Sequence, residues 1–581
     1  MRAKTFLTLL AALAAVTMLC PQSLSLGKEN DGLLVHEWGT FTSLQDDDGR
    51  ELSGINVDDE PVPRFVHDVN PALLASPVLT STHWEYRMKG APRAHPLVTM
   101  RLETPVIYFY PPKGAADSFP VDVNVKFRGG WLTQFYPHAV FSAPQLETGS
   151  FDFGKLTPET VGSLTWNDLK VGTDAAGPET KERVWLAPRK VGAANVTNTD
   201  GESEKYLFYR GVGNLKAPLR ITMDRGSHVL SVFGNFAAVP LGKETAAVPP
   251  LWVTQVRQDG AMAYRRIDGF TVSGDQKQLL GKGSCQFEAA DFSRQNRPKL
   301  EAEMHAALVE DGLFADEATA LLSTWQWSYF ESAGLRVFYL VPRQWTDFYL
   351  PLAISGNPKT ERVMVGRIEL ISDEQRDLLG KLRKSEISDG RWVELVPNSP
   401  ARERFLAGRS DFGDLGQPIP ADYQLYLKMG RFRNALVTAE EARQPSPNLT
   451  KFINTYGLHP FRVANRTPAD QPAQSQELAT AAVPVGRWSL EFTNGVMEAC
   501  EIREDGSASV VEPLRTSSGK GASQDGAFVI TFEDDRVERW TPVGLWMVVE
   551  HWASASEFPS GKPVLGIAER VRIAVVPKDQ E

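Results

Sequence analysis

Cysteine is scarce in this chain: three in 581 residues, Cys20, Cys285 and Cys500. Cys20 falls inside an N-terminal apolar stretch, which leaves two beyond it. Two thiols build no disulfide framework and cannot supply the four thiolates of a structural zinc site. Whether Cys285 and Cys500 pair stays open, because a sequence fixes no distance between them. Basic runs are missing too, and the formal net charge is −10. A protein that neutralises phosphates needs a basic face, so no nucleic-acid partner is expected. After the N-terminus no apolar run approaches the ~18 residues of a membrane-spanning helix. Several catalytic signatures are absent: no G-x-S-x-G elbow, no P-loop, no complete zinc-protease motif. His36-Glu37 opens such a motif, but Thr40 stands where the second histidine belongs.

What is present begins with a targeting segment. Arg2 and Lys4 precede FLTLLAALAAVTML, and small residues end at Ser25. This is the pattern of a signal peptide over residues 1–25, and it implies a secreted or periplasmic chain. Lipidation at Cys20 is disfavoured by the bulky Leu19 before it. The composition, 42% apolar and 23% charged, supports a true core. The length suits two to four domains.

The expected fold class is α+β, predominantly antiparallel β. Residues 26–297 read as strands and turns. VDVNVKF places Val121, Val123, Val125 and Phe127 on one face, and hairpins are expected around Gly226 and around Asp259-Gly260. A large β-sandwich-like region follows from this. RGVGN, Arg210 to Asn214, reads as a turn. Residues 298–465 form an α+β region. Pro298 opens a helix with Leu300, Met304, Leu308 and Val309 on its stripe, and Asp316 is placed to cap the next. Ser372 with Gln375 makes a capping box, and more helix is expected between Tyr423 and Tyr456. Residues 466–484, rich in Pro, Gln, Ala and Ser, are a linker. Residues 485–577 are a β meander, a lipocalin-like barrel or a sandwich. There, three-residue turns ending in Gly495 and Gly506 put Trp488, Leu490, Phe492, Val496, Cys500, Ile502, Ala508 and Val510 on one face; two-residue turns would scatter them.

Five of the nine histidines, His36, His67, His83, His95 and His138, lie in the first quarter of the chain. Imidazole is the commonest metal ligand and the usual base near neutral pH. These five are the candidate ligands for a divalent metal, with Glu37, Asp68 and Glu103 as assisting carboxylates. The plainer expectation is strand residues: on an extended HEWGTFTS, His36 and Glu37 point to opposite faces and cannot share an ion. The acidic run DDDG lacks the oxygen-ligand spacing of a calcium loop. PRQWTDFYLPL reads as a loop leading into a strand, with Arg343, Trp345, Asp347 and Tyr349 as a candidate ligand surface.

Three segments carry a resemblance: HEWGTFTS (His36 to Ser43), MRLETPVIYFY (Met100 to Tyr110) and RVMVGRIEL (Arg362 to Leu370). Together they resemble an uncharacterised family of long exported proteins of environmental bacteria. The resemblance implies export, spans most of the mature chain with the C-terminal barrel as an appended module, and brings over no catalytic residue. The expected function is binding or scaffolding at the cell envelope, with a polysaccharide or an envelope protein as ligand. The alternative is a metal-assisted hydrolase with its site in the N-terminal region.

Overall fold

In the computed structural model LVHEWGTFTSLQ is one extended strand, Leu34–Gln45. The structure describes residues 32–570 apart from 57–61, 64, 70–94, 113–117, 145–155, 237–238, 240–245, 273–278, 389–419, 457, 459–482, 493–496, 513–514, 525–526, 544–545 and 562. The expected signal peptide and residues 466–482 of the expected linker lie outside the described residues. Among those described, no helix is long and apolar enough to cross a membrane.

The opening strand sits in the middle of a 15-stranded mixed sheet. It pairs antiparallel with Met100–Tyr110 and parallel with Lys359–Leu370. The three sequence segments that carry the family resemblance are therefore three adjacent strands. Beyond Lys359–Leu370 the sheet continues through Gly334–Leu340, Leu251–Val256 and Met262–Ile267. Beyond Met100–Tyr110 it continues through Leu207–Gly213, Gly130–Tyr136, Val161–Thr173 and Phe119–Arg128 to Leu352–Ile354.

The sheet separates two apolar clusters. On one face Trp38, Val106 and Phe338 pack with Leu300, Met304, Leu308 and Leu321 of the helices Asn296–Glu310 and Ala315–Thr324. On the other, Val35, Phe41, Ile107 and Val337 join Leu219, Ile221, Leu230 and Val232 of a three-stranded sheet. Helices Asp373–Leu382, Ala421–Lys428, Arg433–Arg443 and Pro447–Thr455 add Leu378, Tyr426, Leu436 and Phe452 to that side. The fold is α+β and rich in β-sheet, as expected, with the three-stranded sheet packed on one face of the large sheet and helices on both. Strands from residues 298–465 belong to the same large sheet as strands from 26–297, so that sheet crosses position 297.

Local signals mostly hold. Val121, Val123, Val125 and Phe127 are buried and their neighbours are not. Ser372 and Gln375 form both hydrogen bonds of the capping box. Other expectations change. Val309 is exposed and leaves the buried stripe. Asp316 is inside its helix, not at its cap, and accepts from the Gly192 amide at 2.9 Å. Gly211 and Gly213 are buried strand residues, not a turn. A Cβ on Gly211 would lie 2.2 Å from the Trp131 carbonyl oxygen, so glycine here allows two strands to pass closely.

The C-terminal meander closes into a barrel of eight antiparallel strands between Gly486 and Arg570. Trp488 pairs with Cys500 and Ile502 with Ala508, the registers of three-residue turns. Gly506 has φ +79°, as the second turn requires; the first turn lies outside the described residues. Trp488, Leu490, Phe492, Cys500, Ile502, Ala508 and Val510 form the barrel core with Phe528, Ile530 and Trp540. No disulfide joins Cys285 to Cys500: the first packs its sulfur 3.4 Å from that of Met223, and the second lies in the barrel core.

Candidate functional site

The extended opening strand sends His36 and Glu37 to opposite faces, and each meets a different partner. His36 Nδ1 lies 2.7 Å from Glu317 Oε2, both side chains being buried. Glu317 also accepts from the Tyr110 hydroxyl at 2.7 Å and the Phe314 amide at 2.7 Å. Burial first, then the Glu317 charge, pushes the Tyr110 hydroxyl well up, so it remains a donor. Phe314 and Tyr110 pack their rings on the imidazole. Glu37, on the other face, accepts from Arg362 and from the Tyr209 hydroxyl. Arg362 also reaches Asp347 at 2.7 Å and the Leu350 carbonyl at 2.7 Å. The motif ties the strand to a helix on one side and to a neighbouring strand on the other.

The remaining candidates are dispersed. His95 is fully buried; its Nδ1 accepts from the Leu97 amide at 3.1 Å, and its ring meets Trp131 edge-on. Glu103 is buried among Arg101, Arg367 and Arg431 at 2.8–3.3 Å. His83 lies outside the described residues. Asp68 occupies a two-residue strand opposite Gln134. Among the described residues no group of three His, Cys, Asp or Glu side chains is placed to hold a metal ion. The five-histidine centre is therefore not assembled among them. The expected ligand surface also changes: Arg343–Tyr349 is a short helix, with Trp345 buried in the core and Arg343 paired to Asp347 at 2.8 Å. Tyr349 packs on Trp345 at 4.5 Å between ring centres. The acidic run is used internally as well. Asp46 caps its own turn, and Asp47 pairs with Arg225 and Arg376.

Two of the predicted histidines do come together at the surface. His67 pairs in register with Phe135 on Gly130–Tyr136, and His138 follows the end of that strand. Their rings stand 5.0 Å apart, edge to face. His67 stacks over Tyr136 with 9° between the planes. Phe135 links His138 to Phe141, at 6.1 and 5.8 Å. Phe141 lies on the short strand Val140–Ser142 and is 37% exposed. The side chains of His67 and His138 are 31% and 49% exposed.

Two carboxylates border this shelf. The turn after Asn195–Thr197 is fixed by Asn198, whose Oδ1 accepts from the amides of Asp200 at 3.1 Å and Glu202 at 2.9 Å. Glu202 Oε1 lies 2.7 Å from His67 Nε2, and its Oε2 accepts from the His138 amide. Asp200 lies 3.8 Å from His138 Nδ1. Glu202, Asp200 and Phe141 were missed by sequence reasoning. Only N-T-D-G-E, a turn sequence, hinted at the first two, and nothing local says that a turn at 200 meets a strand at 67.

No protein-family model matches the chain, and no curated protein matches it. Among solved structures, the chain is similar to the yeast delta-COP-I mu-homology domain complexed with a Dsl1 WxWxV peptide. That match covers 58% of this chain and 96% of that one, with 8% identity and a TM-score of 0.18. A score that low carries no argument about fold or function.

Proposed function

We propose that this is an exported binding or scaffolding protein of the cell envelope whose ligand is a polysaccharide or another envelope protein. One observation carries the reading. His36, Glu37, His95 and Glu103 are all engaged inside the fold. What reaches the surface is an imidazole and aromatic shelf beside two fixed carboxylates. Exposed rings with fixed polar groups at their edge suit recognition. The purified mature chain, tested on a glycan array and against fractionated envelope proteins, is expected to retain one of these ligand classes. Retention of neither ends the reading.

A second reading, the metal-assisted hydrolase, is favoured by the two rings of His67 and His138 5.0 Å apart. It requires a third ligand at the same point. Metal analysis of protein purified without chelator, with a hydrolase screen, checks it. A sub-stoichiometric metal content in fully folded protein removes it.

A further inference from the structure

The shelf has a chemistry specific enough to name its ligand. It joins three partly exposed rings, His67, His138 and Phe141, in one connected set through Phe135. Its bordering charges are carboxylates, Asp200 and Glu202, and neither is paired to a lysine or arginine among the described residues. Glu202 already accepts from His67 and from the His138 amide, so Asp200 is the more open acceptor. A carboxylate only accepts hydrogen bonds, so the ligand must bring donors. A polyanion would meet like charge and be repelled, the more so from a chain with net charge −10. The apolar C–H face of a sugar ring packs on aromatic faces, and its hydroxyls donate outward to acceptors at the edge. The rim is preorganised as well, since Asn198 holds both carboxylate residues through their amides.

We propose that the shelf of His67, His138 and Phe141, with Asp200 and Glu202, is a subsite for a neutral, hydroxyl-rich polysaccharide. The inference rests on the binding role above and narrows it to one ligand class and one place.

The test uses the full mature chain and isothermal titration with three probes: the neutral glucan laminarin, the acidic polymer polygalacturonate and an oligolysine peptide. Wild-type protein is expected to bind laminarin and not polygalacturonate. Phe141→Ala and His138→Ala change side chains that are only 37% and 49% exposed, and each should weaken laminarin binding by about tenfold or more. Val309→Ala, at an exposed position on a helix of the opposite chain half, should leave it unchanged. Circular dichroism confirms that each variant is folded. Laminarin binding that is equal in wild type and both shelf variants overturns this assignment and leaves the binding role standing. Absence of laminarin binding, or preference for polygalacturonate or for oligolysine, overturns the assignment too. The role itself falls only when the glycan array and envelope fractions also retain nothing.

Discussion

Glu317 is the acceptor for three groups at once, the His36 ring, the Tyr110 hydroxyl and the Phe314 amide. Glu317→Ala strands all three in a buried site and is expected to cost about 3–5 kcal/mol of stability. Glu317→Gln keeps an acceptor and should cost less. Urea denaturation followed by tryptophan fluorescence measures both, and equal losses would show that the charge, which both variants remove, carries the effect and the retained acceptor does not. A second residue-scale prediction concerns Asp47. Burial alone would raise its carboxyl, but hydrogen bonds and charge from Arg225 and Arg376 outweigh this and hold it below the usual range. A depressed carboxyl stabilises the fold fully above its unfolded value, near pH ~4. That contribution is lost as the pH falls through the lower folded value. Asp47→Asn should therefore lower Tm at pH 6, with the gap to wild type narrowing as the pH falls below the unfolded value of ~4. A gap that is constant across that range would refute the linkage.

At the scale of elements, alternation and turn chemistry were legible and pairing was not. The barrel register followed from asking which turn length puts Trp488 and Cys500 on one face. The strand Arg515–Gln524 escaped detection because its inward positions are Ser517, Gly519 and Gly521. These lack apolar alternation because the Phe528 and Phe532 rings fill their space: a Cβ on Gly521 would lie 2.3 Å from Phe528, and one on Gly519 2.8 Å from Phe532. Gly521→Ala is accordingly expected to destabilise the barrel by about 1–3 kcal/mol through overpacking. Calorimetry of the barrel transition checks this, and an unchanged Tm would mean that Phe528 moves aside freely. The helix Arg343–Tyr349 was misread for a related reason. Its apolar residues are too few and too short in span to show a helical period.

For the whole molecule, the site was half legible. The crowding of histidines named His67 and His138, the two that the structure brings together at the surface. Composition could not say that His36 and His95 would be internal, or that a turn near residue 200 would complete the shelf. The division at 297 also misled, because period-two patterning reports that a strand exists and not which strand lies beside it. A fragment of residues 26–297 would leave the opening strand without Lys359–Leu370, Glu37 without Arg362 and His36 without Glu317. It is expected to be insoluble or readily proteolysed. Residues 483–581 have their own core and a closed sheet with no open edge, and should fold alone. Limited proteolysis and circular dichroism of the two fragments test this; a well-folded 26–297 fragment would contradict the single-sheet description.

The parallel partner of the opening strand has a kinetic consequence. Glu37 meets its arginine 325 positions later in the chain. A ribosome must therefore finish well over half of the polypeptide before its first strand can be flanked on both sides. Loop closure over such a separation is slow, and the earliest apolar segment waits unsheltered meanwhile. Such a chain can complete its central layer only late in synthesis, and until then it depends on something else to keep that segment from sticking to its neighbours.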